Sequence, residues 1–228
     1  MHPLGSRATL YFDVEAQTLA SRGYAVFNVN YRGSSGVTEA LKLAGKGELG
    51  RRMQSDLSDG VAHLVSQGTV DPKRICIMGG DYRGYAGYAA LAGVTLQSGI
   101  YRCAIAATPI TDLASRVSSP SSETYGPQWT VIDQLKTYLG GNAKSRAALA
   151  SLSPLQQASH ASAPILMLNI DGINEFDDVA RMNYALQRQN KSVQTFQSTG
   201  SKTLLQADSG WEAATSQVLA FLQKENPS

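Results

Sequence analysis

Apolar and polar positions along this chain follow two rhythms, and the rhythms take turns. From Phe12 to Arg22 a period near 3.6 predicts a helix, with Phe12, Ala16, Leu19 and Ala20 on one face and Gly23 at the stop. Tyr24-Ala-Val-Phe-Asn-Val-Asn30 then predicts a strand, followed by the polar glycine loop Tyr31-Arg-Gly-Ser-Ser-Gly36 and a loosely ordered stretch to Gly50 with room for one helical turn. Arg51 to Gln67 predicts a helix burying Met53, Leu57, Val61, Leu64 and Val65, and Asp71-Pro72 is a turn before a strand at Arg74–Met78. Tyr82 to Leu96 reads as an Ala- and Gly-rich helix able to lie close on a sheet, and Tyr101–Thr108 as a strand closed by Pro109. Thr111 to Ser122 is Ser-rich and irregular. Helices are expected at Val131–Leu139, broken by Gly140-Gly141, and at Ala143–Ala150. Strand Ile165–Ile170, helix Asp178–Gln189, strand Ser192–Gln197 and helix Gly210–Lys224 complete the pattern. Such alternation predicts an α/β fold: a mostly parallel sheet with helices on both faces and ligands at the carboxyl ends of its strands.

Length adds that 228 residues fit one domain, 1–228, with a sizeable core. A hydrophobic content of 43% and a net charge of +2 argue against nucleic acid or an anionic membrane surface as a partner. The longest apolar runs, near 104–107 and 165–170, are far too short to span a membrane. The reading is a soluble chain, the cytoplasm being favoured over export. Two cysteines, Cys76 and Cys103, form no metal framework; each sits in an apolar run, where a buried free thiol is the commoner state. No metal or cofactor is expected.

The chemistry concentrates in Ile75-Cys-Ile-Met-Gly-Gly-Asp-Tyr-Arg-Gly-Tyr85, a strand, a glycine turn and a helix start. Turns of this kind carry a nucleophile at the tip in a G-x-S-x-G pattern. Here the tip is Asp81, and Arg83 stands where the second glycine would be.

These residues, together with Leu19-Ala-Ser-Arg-Gly-Tyr-Ala-Val26, Val29-Asn-Tyr-Arg-Gly-Ser-Ser-Gly36, Met53-Gln54…Asp56-Leu57, Asp71-Pro72…Gly79, Ser153-Pro154, Ala163-Pro-Ile-Leu-Met-Leu168 and Leu219-Ala-Phe-Leu222, resemble the catalytic domain of the prolyl oligopeptidase family, its dipeptidyl and acylaminoacyl peptidase branch in particular. The resemblance implies an α/β-hydrolase fold and a Ser-Asp-His triad in that chain order. It puts the serine at position 81, which is aspartate. It puts the triad aspartate in 169–178, where Asp171, Glu175 and Asp177 are near but out of register. It puts the histidine near 201–203, where there is none. The family's oxyanion loop falls on His2-Pro3-Leu4-Gly5, with a proline that has no N–H to donate. It also implies a further strand between 24–30 and 75–78. The chain therefore reads as the C-terminal part of a longer protein, lacking the first strands, with the sheet completed by an N-terminal segment or by a second copy in a homodimer.

Serine-type catalysis needs a base beside the nucleophile. The histidines are His2, His63 and His160; the last two are expected away from the carboxyl edge. Aspartate is the nucleophile in haloalkane dehalogenases and epoxide hydrolases, but their second step also needs a histidine. Asp81 is thus expected as a degenerate nucleophile position, its charge met by Arg83 or by N–H groups at the helix start. Arg83, with Tyr82, Gly5 and Tyr31, is the candidate binding set, for a peptide or small carboxylate. Arg32 is expected in a local ion pair, and Asp171, Glu175, Asp177 and Asp178 as solvated loop carboxylates without calcium-loop spacing. Three functions follow: a non-catalytic homologue, a residual hydrolase or esterase using Asp81, and an inactive fragment of a larger peptidase.

Overall fold

Four short strands pair in chain order into one parallel sheet. They are β1 (Cys76–Gly80), β2 (Cys103–Ala107), β3 (Ile165–Ile170) and β4 (Val193–Ser198). The computed structural model describes residues 5–8, 12–80, 85–118, 131–170, 177–198 and 209–227. Helices among them are α1 (Val14–Ala20), α2 (Glu39–Leu43), α3 (Arg52–Ser66), α4 (Tyr85–Thr95), α5 (Leu113–Ser118), α6 (Val131–Leu139), α7 (Arg146–Leu152), α8 (Asp178–Arg188) and α9 (Ser209–Glu225). Strand-to-strand connections through helices keep every strand parallel, so all four carboxyl ends point to one edge.

The sheet is covered on both sides. One core joins β1–β3 to α3, α4, α6 and α8 through Met53, Leu57, Leu91, Leu135, Met167 and Met182. The other packs Ile105, Leu166 and Leu168 against Ala214, Val218, Phe221 and Leu222 of α9. α4 is buried along its whole length, as its small residues allow. A Cβ on Gly79 would overlap the Ala86 carbonyl, and one on Gly87 would lie 2.9 Å from the Pro109 Cα, so these glycines let α4 touch the sheet backbone to backbone.

Several elements depart from expectation. The helix at α1 is shorter than predicted and buries none of its residues; Phe12 lies before it, 78% exposed. Residues 24–30 are extended but join no ladder among the described residues, and Val26 and Phe27 are largely exposed. Phe27 reaches back over Gly60 of α3. β1 starts and ends two residues later than predicted and runs through Gly80. The Ser-rich stretch forms α5, capped by Asp112, whose Oδ1 accepts from the Ala114 and Ser115 N–H groups. α6 does end at Leu139 as predicted, and the chain goes on from Gly140 to Lys144 as a 3₁₀ turn.

The cysteines overturn the free-thiol reading. Cys76 and Cys103 are facing partners on the first rung between β1 and β2, and they form a disulfide across it with a Cα–Cα distance of 4.6 Å. Burial holds in full for Cys103 and in part for Cys76, and only the pairing of the strands shows that the two sulfurs face each other.

Candidate functional site

The carboxyl edge gathers the ends of β1, β2, β3 and β4. Between Gly80, the end of β1, and Tyr85, the start of α4, lie Asp81, Tyr82, Arg83 and Gly84, outside the described residues. Their flanks show the turn's setting. Tyr85 is buried and its ring lies 5.8 Å from that of Tyr31 and 6.0 Å from that of Tyr88. Tyr31, a candidate binding residue, is thus 1% exposed and part of the floor under α4. Tyr88 donates to the Leu152 carbonyl at 3.0 Å, and burial pushes its phenol far above the ordinary range.

The glycine loop at 31–36 is held from two sides. Asp56 of α3 accepts from the Arg32 backbone N–H and Nε at 2.8 Å each through Oδ2, and from Nη2 at 2.6 Å through Oδ1. This forked pair answers the expected ion pair of Arg32, though its partner is 24 residues away. Arg32's pKa is raised, first by that side-chain hydrogen bond. From the other side the Tyr138 hydroxyl donates to the Gly33 carbonyl at 2.9 Å. The same hydroxyl lies where a Cβ on Gly5 would be 3.6 Å away, so Tyr138 brings Gly5 and Gly33 to one place. Gly5, the last residue of the predicted oxyanion loop, has φ +70, a conformation suited to glycine; His2, Pro3 and Leu4 lie outside the described residues.

The acidic segment after β3 divides. Asp171 and Glu175 are outside the described residues and Asp177 is exposed, with φ 49. Asp178 starts α8, as its pattern predicts, but the solvated-carboxylate reading fails: the residue is 2% exposed. Its Oδ1 accepts from the Thr111 hydroxyl at 2.5 Å and the Thr111 N–H at 3.1 Å, and its Oδ2 lies 3.9 Å from Arg116 Nη2. Burial raises its pKa despite these partners. Beside it Arg181 Nη2 donates to Asp112 Oδ2 at 2.7 Å. Burial pushes the Asp112 carboxyl up, but Arg181 and the two N–H groups outweigh it and hold the group below the usual carboxylate range.

Thr111, Asp112, Arg116, Asp178 and Arg181 therefore clasp the segment after β2 to the start of α8. Both carboxylates are spent on fixed donors, which suits positioning and not proton transfer. Sequence reasoning missed this clasp; the helix-start spacing at 112 and the Asp-Asp pair before an apolar face at 178 were its only signals.

The described histidines stay apart from this edge. His63 is exposed in the last turn of α3, and His160 is exposed just ahead of the amino end of β3. The interval 199–208 between β4 and α9, where the family's histidine is expected, contains none in sequence and lies outside the described residues.

Comparison with known proteins agrees with this architecture. Dipeptidyl aminopeptidase BIII of Pseudoxanthomonas mexicana is 34% identical over 154 residues, 66% of this chain and 21% of that protein. Dipeptidyl peptidase family member 6 of Caenorhabditis elegans is 32% identical over 157 residues, 69% of this chain and 20% of that protein. The chain thus spans about a fifth of the length of these curated relatives. Among solved structures, a puromycin-hydrolyzing peptidase of Mycobacterium tuberculosis superimposes with a TM-score of 0.80 at 25% identity, over 97% of this chain and 32% of the other. An acylaminoacyl peptidase of Pyrococcus horikoshii gives 0.80 at 22% identity over 97% and 36%, a likeness of fold. No helix among the described residues is long and apolar enough to cross a membrane. The fold is that of an α/β-hydrolase, and the model of the prolyl oligopeptidase family matches residues 10–226. This chain belongs to the prolyl oligopeptidase family.

Proposed function

We propose that this chain is a non-catalytic member of the family, a pseudoenzyme that keeps the hydrolase scaffold and uses the carboxyl edge as a binding surface. One observation carries the reading: the loop between β4 and α9, where the family's histidine is expected, has none in the whole interval 199–208. Asp81 at the nucleophile position adds to it. A carboxylate there can still attack carbon, but without a base to activate water the ester it forms would persist. In this reading Arg83 supplies the positive charge at the turn, and the ligand is a peptide or a small carboxylate.

The test is hydrolysis of p-nitrophenyl esters and aminoacyl-nitroanilides by the purified chain beside Asp81→Ala. Equal background rates are expected. Turnover that vanishes in Asp81→Ala would establish a residual hydrolase instead. Asp81→Ser is expected to remain inactive, and peptidase activity from that single change would reveal a base elsewhere. Binding of short peptides with free carboxylates, followed by calorimetry, should weaken about tenfold or more in Arg83→Ala.

A further inference from the structure

We propose that the Cys76–Cys103 disulfide is a redox-controlled staple on β1: closed in oxidising surroundings it pins the strand to β2, and reduced it lets β1 loosen. The geometry points to this in three ways. First, the bond joins the first rung of β1 to β2, and among the described strands β2 is the sole ladder partner of β1. Five residue pairs join β1 to β2, and the bond fixes their register from the first rung; a one-residue slip would carry Ile77 off its core face. Second, the bond spans a sequence separation of 27 that contains the rest of β1 and all of α4, so it restrains that segment in the unfolded chain. Third, the bond is covered but not sealed. Cys103 is fully buried in the core beneath α9, whereas Cys76 is only partly buried. The end of α9 is tied down next to both cysteines in the chain: Arg102 Nε donates to the Glu225 carbonyl at 2.7 Å, and Arg74 to the Pro227 carbonyl. A thiolate therefore has its approach at the Cys76 sulfur, leaving Cys103 as the departing thiolate.

The chemistry balances with a disulfide-class oxidant such as glutathione disulfide. Two S–H bonds are lost, one S–S bond forms, and two electrons and two protons pass to the oxidant, which leaves as two thiols. A dithiol runs the step backwards. A structural bond of this kind is typical of oxidising compartments, which weighs against the cytoplasmic expectation.

The experiment treats the whole chain with glutathione disulfide or with dithiothreitol, then quenches free thiols. After oxidation, tryptic digestion without reductant should yield the 75–83 peptide joined to the 103–116 peptide, two hydrogens lighter than the pair. Hydrogen exchange at residues 76–80 should be slower in the oxidised chain by on the order of 10²-fold. Cys76→Ser should exchange like the reduced protein under both conditions. Two titratable thiols persisting after oxidation would overturn the proposal. So would a bridge that leaves exchange at 76–80 unchanged, or a Cys76→Ser variant that still responds to reductant.

Discussion

Gly79 is the most exacting position in the elbow, for a reason unrelated to catalysis. Its φ is not in the left-handed region; what it provides is space. An added Cβ would overlap the Ala86 carbonyl oxygen, lie 2.6 Å from its carbonyl carbon and 3.2 Å from its Cα. Those are backbone atoms of α4, which cannot rotate aside. Restoring ordinary contact with that oxygen requires moving α4 off β1 by more than about 1 Å, in a core packed to crystal-like density. All of α4 is buried, so the displacement would be felt by Tyr85, Tyr88 and Leu91 together. Gly79→Ala should cost about 3 kcal/mol. For a chain of this size that lowers the melting temperature by roughly 6–12 °C. Gly87→Ala meets the Ala107 carbonyl oxygen and Pro109 and should cost a comparable amount. Gly93→Ala meets the ends of the Tyr101 and Ile77 side chains, which can yield, and its loss is offset by better helix propensity, leaving about 1 kcal/mol or less. Gly141 has nothing within 4 Å and no positive φ, so Gly141→Ala should stay within about 0.5 kcal/mol of the parent. Urea unfolding followed by far-ultraviolet circular dichroism and by tryptophan fluorescence gives the four values. If Gly79→Ala and Gly141→Ala agree to within about 1 kcal/mol, the argument from close approach is wrong.

Two further outcomes concern titratable groups. Asp112 is held below its usual pKa in the fold, so its contribution is present above pH 3.8, the ordinary value, and is lost as pH falls through the folded value. Asp112→Asn should therefore lower stability at neutral pH and flatten the acid limb of the stability profile; an unchanged acid limb would show that the Arg181 contact contributes nothing. Tyr101 has a buried hydroxyl with no hydrogen-bond partner, and burial raises its pKa from 10.0 to about 12. Its contribution is full below pH 10.0 and is lost as pH rises toward about 12. Tyr101→Phe should be neutral or stabilising by up to about 1 kcal/mol at pH 7 and should decline less steeply in alkali, both readable from thermal melts across pH.

The sequence was most legible where period and burial agree. Ile165–Ile170 and Val131–Leu139 form with the predicted bounds, because an apolar run in a two-faced sheet and a one-faced helix each leave a distinct period. Residues 24–30 carry as strong a strand pattern, yet form no ladder among the described residues; pattern reports a readiness to pair and not the partner. The disulfide was hidden for a related reason, since the rung on which Cys76 meets Cys103 is a property of register between strands 27 residues apart. Asp178 misled because composition describes a neighbourhood: four acids within eight residues suggest solvent, while the helix beginning at 178 turns one of them inward onto Thr111. At the elbow, position 79 could be read as a turn glycine from the motif, but the backbone contact that demands it depends on where α4 lands.

These contacts hold the hydrolase scaffold through residues other than those at the family's catalytic positions. The groups that hold the carboxyl edge together are buried or half-buried: Gly79 and Gly87 where α4 meets the sheet, the Tyr31–Tyr85–Tyr88 rings, Arg32 on Asp56, and Asp178 on Thr111. Replacing any of them leaves a clash, a cavity or an unpaired buried group, each a recognised route to a large loss of stability. Positions 81 and 83 and the interval 199–208 fall outside the described residues. The first set belongs to the fold, and the second to positions the family uses for catalysis. A signature of the first set identifies the family, and only the second set speaks to catalysis. In this chain the nucleophile position of the family is Asp81 and the interval 199–208 holds no histidine, so the family's fold is kept while two of its catalytic positions carry other residues.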